Sequence, residues 1–515
     1  MDDLPPEQLP SEFVARMREL LGASEAAALF AALARPAEVG LRLNSLRGAQ
    51  LGGDGALAAA LPWHKGRWRM TPVPWCETAY VVTETDAATN EANTTAVPND
   101  AADPASKRPL PPGRHPYQVA GAYYLQDPAA TVVAEALAPE PGELVLDLAA
   151  APGGKSTHLA ALMASEGWLV ANDVHPLRAQ ALVGNLERCG VGNATVTSEP
   201  PDRLAQAWPG LFDRVLLDAP CSGEGMFRKS TDALAMWSPE NVAHCAARQD
   251  ELLLAAARLV RPGGYLAYST CTLNPDENEG SVARFVAVSG FEVVPLDLPG
   301  TAPGRPEWSG GAPLPALAGA ARIWPHLAPG EGHFVALLCR PTTTEPTSEH
   351  TGEHMAAAGS RKRGRGRDPG PSREVLAAWR DFAAGVLTQP LAEALAPTAL
   401  QGEWLLHAAA GTPPLDGLRW LRHGLQLGQV RVGARSTRIE PAHALAMWAP
   451  PGSVTRRLDL AAEDERVSAY LRGEDVAAPG EPGYLRVEVD GLPLGWGKRS
   501  GAVVRSLLPK GLRRG

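Results

Sequence analysis

The sequence predicts an α/β fold built on a mainly parallel sheet, and three observations carry that expectation. Between residues 144 and 338, short apolar runs alternate with stretches of helical period, the order expected when helices cover both faces of parallel strands. The first run, Val145-Leu146-Asp147-Leu148, breaks into a turn of small residues, Ala149-Ala150-Ala151-Pro152-Gly153-Gly154, and Lys155, Ser156 and Thr157 then open a helix. The last two of seven runs, 291–295 and 333–338, are read as close neighbours, with the final strand antiparallel.

Taken in order, residues 11–34 place Phe13, Met17, Leu20 and Leu21 at helical spacing. Leu41 to Leu46 alternates with period two and predicts a strand, and Val73 to Val82 predicts another. Residues 83–112 turn to Thr, Asn, Ala, Asp and Pro, which predicts a disordered insertion. Order resumes at Tyr117, and a helix is expected from Ala129 to Leu137. The seven strands are placed at 144–148, 168–172, 194–197, 213–218, 264–269, 291–295 and 333–338, with helices at 155–165, 176–187, 240–260 and 278–288. Residues 341–372, which include the run Arg361 to Arg367, read as a flexible basic linker. Beyond it, a helix over 373–395 and short strands at 402–407, 427–432 and 483–489 predict a small α+β or barrel-like module. The expected partition is therefore 1–115, 116–340, 341–372 and 373–515.

Composition narrows the function classes. The 515 residues are 45% hydrophobic and 20% charged, with a net charge of −9, which argues against a uniformly cationic nucleic-acid coat. Basic charge is local: no acid follows Asp490, whereas Lys498, Arg499, Arg505, Lys510, Arg513 and Arg514 do. No apolar run approaches the length of a membrane span, and the acidic, Pro-rich start is unlike a signal peptide. A cytoplasmic protein without a membrane partner is expected. Cys76, Cys189, Cys221, Cys245, Cys271 and Cys339 form no CxxC, so neither a disulfide framework nor a metal site is expected. His158, His244 and His326 fall on different elements and read as packed or surface groups.

The turn after the first strand admits two ligands. Ala149 to Ser156 satisfies a loose phosphate-loop pattern, and Val215 to Asp218 could then serve as the metal-binding strand of an NTPase. Pro152 opposes this, because it removes an N–H from a loop that would hold phosphate with them. Leu169-Val170-Ala171-Asn172-Asp173 is a second apolar strand ending in a carboxylate, about 20 residues after the glycines, where an acid bonds a ribose hydroxyl. Turn and acid together favour S-adenosylmethionine (SAM) or a dinucleotide.

Two cysteines complete the pattern. Cys221 follows the strand ending at Asp218, in D-A-P-C-S-G-E-G-M-F-R-K, and Cys271 ends the strand 264–269, in S-T-C-T-L-N-P-D-E-N-E. Both fall past the carboxyl ends of sheet strands, where open α/β sheets keep their sites, and a thiol there is a candidate nucleophile. One chemistry uses the pair: a thiolate adds to carbon 6 of a cytosine, carbon 5 attacks a sulfonium methyl, and a base removes the carbon 5 proton so that the thiol leaves. Asp218 would supply or hold the proton at ring N3. The residues alone leave open which cysteine attacks.

With these motifs the chain resembles the Sun/Fmu-type family of RNA cytosine-5 methyltransferases, within it the longer bacterial enzymes acting on small-subunit ribosomal RNA. The matches are A-A-A-P-G-G-K-S (149–156), Asp173, the two cysteine motifs, P-H-L-A-P-G-E-G-H-F (325–334) and L-R-L-N-S-L-R (41–47). G-L-P-L-G-W-G-K-R-S-G (491–501) resembles the RNA-binding extension of that subgroup. The resemblance implies a Rossmann-like, SAM-dependent enzyme of seven strands, the last antiparallel, with 16S rRNA or the small subunit as partner and a monomeric state. It implies Cys271 as nucleophile, Cys221 in product release, and Asp218 and Lys155 beside the base. Residues 149–155, Asp173 and Asp218 would contact SAM, with Arg178 at the cofactor's edge. The match fails at the third strand, where members offer an Asp for adenine and this chain reads V-T-S-E-P-P-D (196–202); Glu199 and Asp202 are the acids nearby. Trp237 reads as a packing anchor. For RNA the expected contacts are Arg228, Lys229, Trp496, Lys498 and Arg499, with the terminal-barrel core as the other reading of Trp496. The competing functions are a P-loop NTPase and a non-catalytic RNA-binding assembly factor.

Overall fold

A computed structural model describes residues 8–64, 68–84, 110–342, 370–408, 412–433 and 436–514. Most of the expected insertion and linker, with the run Arg361 to Arg367, lies outside the described residues. The centre is a ten-stranded mixed sheet. Its strands are β1 (Leu144–Asp147), β2 (Trp168–Asn172), β3 (Ala194–Thr197), β4 (Phe212–Asp218), β5 (Val260–Thr270), β6 (Glu292–Val294), β7 (Ala302–Pro303), β8 (Ala321–Ile323), β9 (His333–Cys339) and β10 (Trp420–His423). They lie in the order β7-β8-β9-β5-β4-β1-β2-β3-β10, with β6 paired to β9. From β5 to β3 the strands run parallel, and β9 returns antiparallel to β5, as expected of the closing strand.

Strand alternation divides the core between two faces. Val145, Leu169, Val196 and Leu216 pack on one side with Leu159 of α1 (Gly154–Leu162) and Leu182 and Leu186 of α2 (Pro176–Arg188). Leu146, Val170, Val215 and Leu217 pack on the other with Leu204 of α3 (Pro201–Ala207), Leu253 and Leu259 of α4 (Pro239–Leu259) and Phe285 of α5 (Glu279–Ser289). Each such fully buried leucine contributes about 1.5–3 kcal/mol of transfer free energy, so the sheet is a rigid platform. Strand order reverses at β1, between β2 and β4, which opens a crevice at the strands' carboxyl ends.

The sheet is wider than seven strands. β10 comes from beyond the linker and pairs antiparallel with β3, from Trp420↔Thr197 to His423↔Thr195. It covers what would otherwise be an open edge of unpaired backbone groups. The C-terminal region is therefore built into the central sheet, not simply tethered to it. Its remainder forms two sheets, one of four strands from Ala399 to Pro441 and one of five from Arg457 to Ser506. At the other end of the chain, Ser11–Leu33 is helical but interrupted at Gly22, whose φ of 76° leaves the helical region. Val39–Leu43, Trp68–Val73, Cys76–Glu84 and Tyr123–Leu125 form a four-stranded sheet. Leu41, Leu43 and Tyr123 of that sheet share a core with Leu485, Val487 and Leu492 of the five-stranded one. Among the described residues, no helix is long and apolar enough to cross a membrane.

Candidate active site

The turn after β1 is tied down from three sides. Asp147, at the end of β1, is buried and accepts a hydrogen bond from Ser156 Oγ at 2.6 Å, which pins the start of α1 to the strand. Ala150 donates its N–H to the carbonyl of Asn172 at the end of β2, at 2.7 Å. Gly153 has a φ of 115°, and a Cβ there would sit 2.9 Å from Leu182 of α2, so glycine is required on both counts. The features a phosphate loop needs are missing: Pro152 has no N–H, and the Lys155 ammonium is committed to Asp218 Oδ2 at 2.8 Å.

A cavity of about 530 Å³ opens at the β1–β4 reversal, a size typical of small-ligand sites. Ala149, Ala151, Asp173, Arg178 and Asp218 line it, whereas Ala150, Pro152, Gly153, Gly154 and Lys155 form the turn and helix start behind it. Leu148, Val174, Pro200, Pro201 and Leu252 give it an apolar wall suited to a flat heterocycle. Asp173 presents a carboxylate just past β2. One of its oxygens accepts the His175 N–H at 2.9 Å and the other faces the Arg178 guanidinium at 3.4 Å. Arg178 also donates to the Ala151 carbonyl at 3.0 Å, joining the turn to the acid. Apolar wall, ribose-reaching acid and close-approach turn together fit SAM.

The third-strand acids separate. Glu199 is turned out of the cavity: its carboxylate accepts the backbone N–H of Arg419 at 2.7 Å, just before β10. Asp202 does line the cavity, paired with Arg258 of α4. Arg248 and Glu251, both on α4, are lining residues that sequence reasoning missed. Their only signal was helical position.

Cys221 and Cys271 both reach this cavity, and their Sγ atoms are 3.3 Å apart. Beneath them Asp218 accepts from Lys155 Nζ at 2.8 Å and from Ser269 Oγ at 2.7 Å. Burial opposes charge on both members of this pair, yet their attraction wins. Asp218 is held below the usual carboxylate range and Lys155 above its own. The Lys155 ammonium also faces Cys271. Cys221 is pushed well above the ordinary thiol range, first by its hydrogen bond with Cys271 and then by burial, so it keeps its proton. His333, first residue of β9, was not singled out by sequence. It is buried with both ring nitrogens unpartnered, and burial next to Lys155 lowers it to about 4.

Two of the expected RNA contacts are interior groups instead. Arg228 is 7% exposed, and its guanidinium is spent on Glu331 at 2.5 Å and on the carbonyls of Gly330 and Ala32. Trp496 is 1% exposed and donates its indole N–H to the Ala442 carbonyl at 2.8 Å, so it is core, not a stacking surface. Lys229 is largely withdrawn as well, bonded to Asp127 and within 3.3 Å of Glu331. Lys498 is exposed, its ammonium 5.2 Å from the Tyr484 ring, and Arg499 beside it is partly exposed. Trp237 donates to Glu224 at 3.0 Å, anchoring the loop after Cys221.

Among the described residues, one cluster has a donor set a metal could use. Cys76, Glu135 and His158 bring sulfur, carboxylate and imidazole atoms within 4.8 Å of one another. His158 Nε2 lies 3.0 Å from Glu135 Oε1, and the buried Arg42 already balances the Glu135 charge. The cluster is accordingly read as an interior polar network.

Sheet order, cavity and carboxylate pattern define a SAM-dependent methyltransferase. Residues 134–339 match the family described as 16S rRNA methyltransferase RsmB/F. Residues 9–128 match the N-terminal domain of 16S rRNA methyltransferase RsmF, 381–448 its first C-terminal domain, and 457–514 the methyltransferase RsmF PUA domain. The chain is 33% identical over 519 residues to a ribosomal RNA small subunit methyltransferase F of Klebsiella pneumoniae (strain 342), covering 98% of this chain and 96% of the relative. A protein of the same name from Cronobacter sakazakii is 32% identical over similar coverage. Among solved structures, a methyltransferase homologue from Pyrococcus horikoshii superposes with a TM-score of 0.53 at 27% identity, covering 65% of this chain and all of that one. The chain belongs to the RsmB/F family of 16S rRNA methyltransferases, and it is a SAM-dependent rRNA methyltransferase. The two C-terminal matches divide what the sequence suggested was a single module.

Proposed function

We propose that this enzyme methylates carbon 5 of a cytosine in 16S rRNA through a covalent adduct between Cys271 and carbon 6. The observation that carries the reading is the pair of thiols 3.3 Å apart, on the rim of the cavity that fits SAM. The names of the relatives support 16S rRNA in the small subunit as the substrate.

SAM, when bound, would supply an electrophilic methyl group. Asp173 and Arg178 would hold its ribose side, and the backbone from Ala149 to Gly154 would allow its close approach. The Cys271 thiolate, beside the Lys155 ammonium, adds to carbon 6 and pushes an electron pair to carbon 5. Ring N3 takes a proton from solvent as the adduct forms and returns it as the adduct collapses, and in between the Asp218 carboxylate accepts the N3–H hydrogen bond. Once carbon 5 carries the methyl group, its proton goes to a base, the carbon–sulfur bond breaks, and the electron pair returns to Cys271. Cys221, beside that sulfur, assists this release. Attack needs access to the ring's face, so the target cytosine is unpaired or flipped out of its stack. The exposed Lys498 and the partly exposed Arg499 remain as cations for the RNA backbone.

The test combines mapping with trapping. Bisulfite sequencing of rRNA from cells with and without the gene should reveal a cytosine protected only when the enzyme is present. Replacing Cys221 by Ala should leave RNA covalently bound to the protein on a denaturing gel, and the added loss of Cys271 should abolish that band. A band that survives without Cys271 would reverse the assignment of roles.

A further inference from the structure

We propose that Glu277 is a positioning residue that locks the turn carrying Cys221 onto the loop carrying Cys271, and so holds the Cys221 thiol where it can act on the adduct. This rests on the roles assigned to the two cysteines above. Glu277 lies six residues after Cys271, in the 3₁₀ turn that leads toward α5, and is fully buried. Its Oε1 accepts the backbone N–H of Ser222 at 2.8 Å and the side-chain amide of Gln249 at 3.0 Å. Its Oε2 accepts the Ser222 hydroxyl at 2.5 Å. That hydroxyl lies 2.9 Å from the hydroxyl of Thr272.

Ser222 and Thr272 are the chain neighbours of Cys221 and Cys271. One carboxylate of the Cys271 loop therefore holds Ser222 directly, and the Ser222 hydroxyl carries the tie on to Thr272. Gln249, from α4, adds a second tie by donating to the Pro220 carbonyl at 2.9 Å, and its own carbonyl is fixed by the Tyr268 hydroxyl at 3.0 Å. Gly225 closes the arrangement by donating its N–H to the Cys271 carbonyl at 3.0 Å. Burying a carboxylate costs free energy unless hydrogen bonds compensate it, and here three donors converge on it. All three belong either to the Cys221 turn or to the glutamine that braces that turn. Proton transfer and adduct release depend steeply on such placement, because a displacement near 1 Å can cost about 100-fold in rate.

The test uses full-length Glu277→Gln and Ser222→Ala proteins with unmodified 16S rRNA and SAM. It measures trapped RNA on a denaturing gel beside SAM affinity by calorimetry. Glu277→Gln should accumulate about tenfold more covalent adduct than the unaltered enzyme, the scale of losing one charged hydrogen bond, with SAM affinity unchanged. Ser222→Ala, which removes only the hydroxyl link, should accumulate a smaller excess, and it decides the matter if Glu277→Gln does not fold. A parallel fall in SAM affinity and adduct formation would mean a purely structural role and would overturn the proposal. So would normal adduct turnover in both variants while Cys221→Ala traps RNA. If Cys221→Ala itself traps nothing, the failure lies in the underlying mechanism and not in the clamp.

Discussion

Cys221 Sγ lies 3.3 Å from Cys271 Sγ although 50 residues separate them in the chain. Parallel pairing of β4 with β5 explains the approach, since Asp218 is in register with Ser269, and Cys221 and Cys271 follow those paired residues by three and two positions. The contact is also the first cause that pushes the Cys221 thiol well above the ordinary thiol range.

Replacing Cys271 by Ala should therefore lower methyl transfer by a factor on the order of 10³ or more, as removal of a nucleophile does elsewhere. SAM affinity should be unaffected. Incorporation of tritiated methyl groups, with calorimetric titration of SAM, checks both halves.

Asp218→Asn should keep the fold and reduce turnover by roughly 100-fold, the cost of losing one preorganised electrostatic partner in an active site. The Lys155 ammonium would lose its counter-charge at 2.8 Å and the ring N3 proton its acceptor. Single-turnover kinetics distinguish this from weakened RNA binding.

Arg322 offers a test of stability away from the chemistry. It is 1% exposed, pairs with Glu279 at 2.5 Å, and lies 5.0 Å from the Trp308 ring and 5.1 Å from that of Trp324. Arg322→Met should destabilise the protein by about 3–5 kcal/mol, because it leaves a buried carboxylate without its counter-charge, with only the Arg305 N–H still bonded to it. Pairing it with Glu279→Leu should cost less than the single change, as read by thermal denaturation.

Acid should unfold the enzyme through its buried histidines. Burial lowers His158, His333 and His443 to about 4 each, whereas in the unfolded chain they titrate near 6.5. Between those values the unfolded state binds more protons, so their stabilising contribution is complete above about pH 6.5 and is lost as pH falls toward 4. His158→Gln should move the acid midpoint of unfolding downward, measured by circular dichroism.

Ending the chain at residue 340 should yield a protein that aggregates and binds SAM poorly. β3 would lose β10, leaving an open edge, and the Ser198–Glu199 turn would lose the hydrogen bonds it exchanges with Arg419. Size-exclusion chromatography and SAM titration check the two effects.

The catalytic sheet was readable because its strands are continuous apolar runs and its site motifs are local. Asp147, Asp173 and the two cysteines sit at strand ends, and a strand end is visible from neighbouring residues alone. Features set by distant partners were not readable. Arg228 follows a cysteine motif and looks like a surface cation, yet Glu331, about a hundred residues on, draws it inside. Trp496 stands just before Lys498 and Arg499, but the Ala442 carbonyl, more than fifty residues upstream, takes its indole N–H and holds it in the core. β10 is four residues long, contains the buried Arg422, and has no apolar signature. Glu199 is one of two acids near the third strand that local sequence cannot tell apart, and the Arg419 N–H, from far along the chain, occupies its carboxylate.

The last parallel strand finds its neighbour more than two hundred residues downstream. During synthesis from the amino end, the cofactor-binding half emerges long before β10 does. Until then the nascent chain carries a sticky, half-finished border that invites other chains. Ribosome-bound chaperones, or simply fast translation through residues 341–419, would thus shape the yield of active enzyme as much as any catalytic residue does.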